Sequence, residues 1–362
     1  MAGTKAPGIR QHHGKWQVRY YGPDGQRHAK SFARKTDALA FKGSVETDKQ
    51  RGDWMDPRLA RVTLEDFARD WLKTKGDVGA RTFINIDGRL RNYILPTFGG
   101  RRVSAIKPVN VRKWVADMSK TRAPSTVRAT YRTFSQIMRT AEIDGLTRRS
   151  PCNGIDLPAE GSGEEMHFLT PEQVATLAET IDGRYRALIF TAAYTGMRAG
   201  ELAALKVSRV NLLKRRLDVV ESLSEVRGAL VTGPTKTRVR RSVTLPAFLA
   251  DMLGEHIGGY PSDDGYVFTM REGGPLRQGN FYKRVFRPAV ARAGLSEGLR
   301  FHDLRHSCAA ILIDQGSNPK QVQARLGHAS IRTTLDSYGH LFDSHDSELL
   351  RELDVIFWDS TA

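Results

Sequence analysis

The sequence predicts a multidomain chain: a small N-terminal β-ribbon plus helix domain, an all-helical domain, and a mostly α-helical α+β domain. Three observations carry that expectation. At 362 residues the chain exceeds what a single core ordinarily serves. Apolar alternation of period two near the N-terminus gives way to helical spacing further on. Two turn-rich stretches, GDWMDPRLARV and LTRRSPCNGIDLPAEGSGEE, interrupt the pattern where one unit would end and the next begin.

In order along the chain, GKWQVRYYGPDGQRHAKS reads as a hairpin. Trp16, Val18 and Tyr20 alternate with Lys15, Gln17 and Arg19 before the turn residues Gly22, Pro23, Asp24 and Gly25. FARKTDALAFKGSVETDKQRG has helical period, with Ala38, Ala40, Phe41 and Val45 as its inner side. The second unit opens at Thr63, which can N-cap a helix carrying Leu64, Phe67, Ala68 and Trp71, with Asp66 at N3. Helical pattern continues through TFINIDGRLRNYILPTFG, VNVRKWVADMSK and STVRATYRTFSQIMRTAEIDG. In the last, Val127, Tyr131, Phe134, Ile137 and Met138 form a core stripe, and Arg128 and Arg132 share a different face.

The third unit starts at LTPEQVATLAET, where Thr170 caps, Pro171 occupies N1 and Gln173 completes a capping box. RYRALIFTAAYTG follows as a helix ending near Gly196. Strand-like LDVVES and RRSVTLP flank a loop holding VTGPTKTR, and helices PAFLADMLGEHI, NFYKRVFRPAVARAG, FHDLRHSCAAILIDQG and NPKQVQARLG come next. After them Leu349, Leu350, Leu353, Val355 and Ile356 make a short amphipathic segment, which either caps its own domain or packs on another subunit.

Charge is placed unevenly. The formal net charge is +16, and residues 1–60 carry 12 basic and 6 acidic side chains, residues 61–160 carry 19 and 10, and residues 161–362 carry 25 and 24. Nearly all of the excess therefore lies before the third unit. A basic surface confers solubility, but this concentration points further, to a polyanion such as nucleic acid, whose phosphates release counterions to Lys and Arg. Lys15, Arg19, Arg27 and Lys30 of the hairpin, and Arg128 and Arg132 of the helical unit, are the DNA-binding candidates; a two-stranded ribbon can enter a major groove. Two cysteines exclude a disulfide framework. No signal peptide is evident, and the longest apolar-leaning stretch, ALIFTAAYTGM, is too short to span a membrane and meets Arg198 at once.

The third unit holds the chemistry. Arg198 in TGMRAGEL, Lys236 in TGPTKTRVRR, His302 and Arg305 in FHDLRH, His328 in LGH and Tyr338 in TTLDSYGH each have an ordinary alternative, such as a salt bridge from Arg198 to Glu201 or a buried tyrosine. Together they have one economical use. Two arginines can clamp a phosphodiester and stabilise its pentavalent transition state. A tyrosine can attack phosphorus and hold the strand covalently. A lysine or histidine can protonate the departing 5′ oxygen. No acidic cluster with metal-ligand spacing accompanies them, so no metal is expected.

The strings TGMRAGEL, TKT, HDLRH, LGH and TTLDSYGH, in order between residues 195 and 340, resemble the boxes of the tyrosine recombinase family, in its phage integrase, lambda-integrase-like branch. The resemblance implies that Arg198 and Arg305 clamp the phosphate and that Lys236 is the general acid. It implies that His302 is the histidine paired with the second arginine, His328 the further histidine that contacts the phosphate, and Tyr338 the nucleophile that forms a 3′-phosphotyrosyl link, with Glu201 in a supporting, orienting role. Tyr338 lies ten residues after His328, one more than in many family members, which implies a register or helix-length difference in the segment presenting the nucleophile.

By the same resemblance, residues 1–55 are an arm-type DNA-binding domain, 62–157 a helical core-binding domain, 165–345 the catalytic domain, and 346–362 a tail that packs on a neighbouring subunit. The implied partners are double-stranded DNA with core-type and arm-type attachment sites, three further copies in a tetramer, a host DNA-bending factor, and a recombination directionality factor or excisionase. No cofactor, ATP or metal is implied. The style of ASIRTTLDSYGHLF leans to an actinobacterial temperate phage or prophage, acting on DNA in the cytoplasm of its bacterial host. The rival readings are a resolvase-like recombinase, a type IB topoisomerase-like enzyme, and a DNA-binding regulator without chemistry. Basic residues 1–55 speak against the first, any need for paired sites would separate the second, and the complete residue set speaks against the third.

Overall fold

The computed structural model describes residues 8–342 apart from positions 24, 52, 53, 55, 57, 77, 160–165 and 236–239, and beyond them residues 350 and 353–358. The chain divides into two compact units, Met1–Gly161 and Ser162–Ala362.

The first unit contains two apolar clusters. At its start β1 (Ile9–His12), β2 (Lys15–Tyr21) and β3 (Arg27–Phe32) form an antiparallel sheet in that order, followed by helix α1 (Lys35–Gln50). Val18 and Tyr20 of β2 are buried with Ala38 and Val45 of α1, as period-two and helical spacing dictate. Ala40, expected on the inner side of α1, is exposed, because it lies two positions from Ala38 and so on the far side of the helix. Strand β1 lies outside the hairpin that the sequence predicts; IRQH has no apolar alternation, and its pairing with β2 supplies the reason for its extended form.

The second cluster belongs to α2 (Leu64–Lys73), α3 (Ala80–Arg89), α4 (Leu95–Phe98), α5 (Pro108–Ser119) and α6 (Pro124–Ile143), with a π-helical turn at Leu90–Ile94 joining α3 to α4. Thr63 caps α2 by accepting from the Asp66 amide at 3.2 Å. Phe98 stacks on Phe134 with centroids 4.9 Å apart, and Trp114 meets both rings edge-on. The indole N–H of Trp114 donates to the Tyr93 carbonyl at 3.0 Å, so the polar end of this buried ring is satisfied.

The second unit is helical around two small sheets. Its elements are α7 (Pro171–Thr180), α8 (Arg186–Thr195), α9 (Ala199–Ala204), β4 (Val210–Asn211), β5 (Arg216–Val219), β6 (Glu221–Val226), β7 (Ala229–Pro234), β8 (Arg241–Thr244), α10 (Ala247–Gly259), α11 (Gln278–Phe281), α12 (Arg287–Arg292), α13 (Asp303–Asp314), α14 (Pro319–Leu326) and α15 (Ile331–Phe342). The sheets are β4-β5-β8 and the hairpin β6-β7. The capping box at Thr170 forms as read, with Gln173 donating its amide to the Thr170 hydroxyl at 3.3 Å.

Here the strand reading is corrected. LDVVES is two strands that belong to different sheets, and VTGP lies in β7 rather than in a loop, with Gly233 opposite Ser222. The hairpin turns at Arg227 and Gly228, both at positive φ (52° and 81°), a two-residue turn whose twist matches that of paired strands. No described helix is long and apolar enough to cross a membrane.

Candidate active site

All described candidates for catalysis belong to the second unit. Helix α8 is buried almost throughout and ends at Gly196, whose φ of +65° is the left-handed stop that an L side chain resists. A Cβ at that position would also overlap Leu326 Cδ2 and approach Cys308 Sγ to 3.3 Å. The turn delivers Arg198 to the N-cap of α9, one turn before Glu201 at N3. Glu201 is buried at 2% exposure and takes four N–H bonds. Oε2 accepts from the Arg198 amide at 2.9 Å and from Arg241 Nη2 at 2.7 Å; Oε1 accepts from Arg198 Nη1 at 2.9 Å and Arg241 Nη1 at 3.1 Å.

Arg241, from β8, also donates through Nε to the Arg325 carbonyl at 3.2 Å, which ties the strand to the end of α14. Gly327, the αL cap of α14, has φ +68°, and a Cβ there would come within 2.9 Å of Arg241 Cδ. The left-handed backbone and that contact together account for glycine in LGH.

The second arginine rises from α13. His302 occupies its N-cap, and buried Asp303 is held by the Arg300 amide at 2.7 Å and Arg300 Nη2 at 2.9 Å. Arg305 is 3% exposed, and its Nη1 donates to the Gly196 carbonyl. Its Nη2 is buried with no hydrogen-bond partner among the described residues. A buried guanidinium with an unmade bond is costly unless an anion supplies the acceptor.

Tyr338 lies on α15, 1% exposed, with Cys308, Ala309, Ile313, Val322 and Leu326 in its apolar cluster. Its hydroxyl is 2.8 Å from His306 Nδ1. The His328 ring lies parallel to the tyrosine ring, centroids 6.4 Å apart and 9° between planes, while His328 Nδ1 is 2.9 Å from the Thr334 hydroxyl. Across the ten-residue interval from His328, with α15 beginning at Ile331, the two rings lie side by side.

Electrostatics follow from burial. It raises the Tyr338 phenol to about 12, with Arg305 pulling the other way. Burial and then the charges of His306 and Arg305 lower His302 to about 4; burial and then Arg305 and Arg198 lower His328 to about 4. Both imidazoles therefore favour the neutral form at pH 7. Burial, and next the Arg198 charge, lowers Arg305 to about 10, still cationic at pH 7. Burial alone would raise Glu201, but the bonds and charge of Arg241 and Arg198 outweigh it and leave the carboxyl below its ordinary range. The result is an anion-seeking site of two arginines with a phenol hydroxyl beside it. Lys236 lies outside the described residues.

The description of the phage integrase family matches residues 167–345, and that of the phage integrase central domain matches residues 64–156. The chain belongs to the phage integrase family. An integrase of Mycobacterium phage D29 is 28% identical over 363 residues, covering 95% of this chain and 94% of the phage protein. The integrase of Mycobacterium phage L5 is 29% identical, covering 90% and 91%. Among solved structures, the Tn1549 transposon integrase in complex with transposon right end DNA is similar in fold, with TM-score 0.70 and 22% identity over 80% of this chain and 99% of that one. A lambda integrase dimer bound to a COC′ core site gives TM-score 0.60 and 18% identity, covering 92% and 94%.

Two residues of this integrase-family site escaped the sequence reading: Arg241, one of three arginines in RVRR, and His306, the second histidine of HDLRH. A signal existed for His306, which follows His302 by one helical turn; their rings meet edge-on at 5.0 Å. None singled out Arg241 from Arg240.

The DNA-binding candidates occupy the first unit. Lys15, Arg19 and Arg27 alternate with the buried positions of β2 or pair opposite its outward ones, and Arg10, paired with Gln17, joins them. Lys30 does not share that face. It stands opposite Val18, on the side of α1, with its ammonium 4.5 Å from the Phe41 ring centroid. The four hairpin candidates therefore do not form one basic face, because residues paired across antiparallel strands point to the same side. Arg128 and Arg132 line a shallow concavity of α6 with Tyr131 and Arg139, and Arg128 Nη1 donates to the Pro158 carbonyl at 3.0 Å. Of the tail, residues 353–358 are helical with Leu353, Val355 and Ile356 exposed, as is Leu350; Leu349 lies outside the described residues.

Proposed function

We propose that this tyrosine-type site-specific recombinase integrates phage DNA at attachment sites with Tyr338 as its nucleophile. Arg198 and Arg305 clamp the scissile phosphate, neutral His302 and His328 donate hydrogen bonds to it, and Lys236 protonates the departing 5′ oxygen. Glu201 orients Arg198. The observation that carries this reading is the buried, unpartnered Nη2 of Arg305 on the helix that also presents the partner of the Tyr338 hydroxyl.

Attack by Tyr338 on phosphorus forms a 3′-phosphotyrosine and expels the 5′-hydroxyl strand; attack by a 5′-hydroxyl from the exchanged strand reverses it. Bond energy is conserved in the protein link, so the cycle needs neither ATP nor a metal. The lowered affinity of His302 and His328 for protons favours the lysine as the acid. In this reading residues 1–55 take arm-type sites, residues 62–157 with residues 165–345 take the core site, and residues 346–362 pack on a neighbouring copy. Four copies then carry strands through a Holliday junction, as the lambda integrase tetramer is seen bound to one. A host bending factor and an excisionase set direction, and the work is done on DNA in the bacterial cytoplasm.

The test is Tyr338→Phe on a nicked duplex from DNA flanking the gene. Retained DNA binding with no covalent adduct is the expected result. An adduct formed by that variant would remove Tyr338 from its role, and strand exchange between paired sites by the wild type tests integration.

A further inference from the structure

A nucleophilic phenol must lose its proton, and the groups around Tyr338 differ in their capacity to take it. Resting on the nucleophile assignment above, we propose that His306 is a catalytic residue, the general base that accepts the Tyr338 proton during attack and returns it during religation.

Geometry carries the inference. Nδ1 of His306 is 2.8 Å from the Tyr338 hydroxyl, within the range for direct transfer. The rings meet edge-on with centroids 5.7 Å apart, so the imidazole nitrogen and not its face addresses the oxygen. The other histidine at the tyrosine, His328, lies parallel to its ring and has its Nδ1 at the Thr334 hydroxyl. His306 directly follows Arg305 on α13, so base and phosphate clamp share one rigid helix, and arrival of the phosphate at Arg305 sets both against the nucleophile.

Burial lowers the proton affinity of the imidazole and raises that of the phenol, so both are neutral at rest. In the tautomer with its proton on Nε2, the imidazole accepts the hydroxyl hydrogen bond through Nδ1. Asp303, Arg300, Arg305 and His302 face His306 from its own segment, and Tyr338 and His328 from the segments packed against it; Phe168 is the apolar neighbour. Asp303 favours the imidazolium and the arginines oppose it, so a dianionic phosphorane beside them tips the balance toward transfer. In the step, the O–H bond of Tyr338 breaks and its proton goes to Nδ1. The phenolic oxygen bonds phosphorus, and the 5′ oxygen leaves with a proton from the acid. Religation runs the same transfers backward.

The experiment compares full-length variants on a nicked duplex that the wild type captures covalently. His306→Asn keeps an acceptor near the position of Nδ1 but cannot take a proton; His306→Ala removes both. Both variants are expected to slow adduct formation by at least about 100-fold, with DNA binding retained. A fluorinated tyrosine at position 338, which ionises more readily, is expected to recover most of the loss in His306→Asn. Wild-type rates should rise with pH along a limb that His306→Asn lacks. Full activity of His306→Asn, with only His306→Ala impaired, would make His306 a positioning residue and overturn the proposal; so would a defect that fluorination leaves unchanged. Adduct formation by Tyr338→Phe on the same duplex would instead overturn the nucleophile assignment.

Discussion

Replacing Glu201 by Gln removes one charge from the buried centre of the site and keeps its shape. The carboxylate takes four N–H bonds, two from Arg198 and two from Arg241. An amide can accept only through its single oxygen, and its NH2 group would face guanidinium donors where Oε had accepted. Two bonds are lost, and Arg198, Arg241 and Arg305 stay clustered without their counter-charge. Removing one partner of a buried pair costs about 3–5 kcal/mol, and two charge-assisted bonds at about 1.5–3 kcal/mol each give a similar figure. For a unit of this size that corresponds to a fall in melting temperature of roughly 6–20 °C.

The pH dependence has a definite sign. The folded-state pKa of Glu201 is depressed, so its contribution is full above the ordinary carboxyl range and is lost as pH falls through the lower folded value. Urea unfolding of full-length wild type and Glu201→Gln, followed at pH 7 and at successively lower pH, measures the gap. It should be widest at pH 7 and close only in acid. A gap below about 1 kcal/mol at pH 7 would place Glu201 among exposed ion pairs and refute the reasoning, as would a gap that does not narrow in acid.

Gly196→Ala should cost more than about 2 kcal/mol, since left-handed backbone strain alone is about 1–2 kcal/mol and its Cβ overlaps Leu326; a thermal melt within 1 °C of wild type would contradict this. Lys236→Ala should slow cleavage by about 100-fold or more, and a duplex with sulfur in place of the bridging 5′ oxygen should restore it, because a thiolate leaves without a proton. Equal defects on both duplexes would exclude Lys236 as the acid. Deleting residues 1–55 should leave cleavage of a core duplex intact while arm-site binding is lost and the salt dependence of DNA affinity becomes shallower, as measured by titration at several salt concentrations.

Much of the fold was legible because local patterns and tertiary environment agreed. Thr63 and Thr170 cap the helices their sequences announce, and Val127, Phe134, Ile137 and Met138 are buried as their spacing requires. The exceptions arose where a long-range partner set the outcome. Strand β1 exists through its pairing with β2, and VTGP became a strand because Arg227 and Gly228 turn it back on β6. Lys30 went to the helix-covered side because register, which one strand cannot reveal, places it opposite Val18.

The opening expectation of separate parts with different work is where sequence and tertiary structure divide most clearly. By itself the sequence determined the order of the units, the concentration of positive charge before residue 161, and the residue types available for phosphate chemistry, because these depend on composition and short-range spacing. Only the tertiary structure decided which side chains meet. Arg241 comes to Glu201 across 40 positions, Arg305 to the Gly196 carbonyl across 109, and His306 to the Tyr338 hydroxyl across 32. Such contacts are made by the packing of α8, α13 and α15 and by the return of β8, and no local pattern records them.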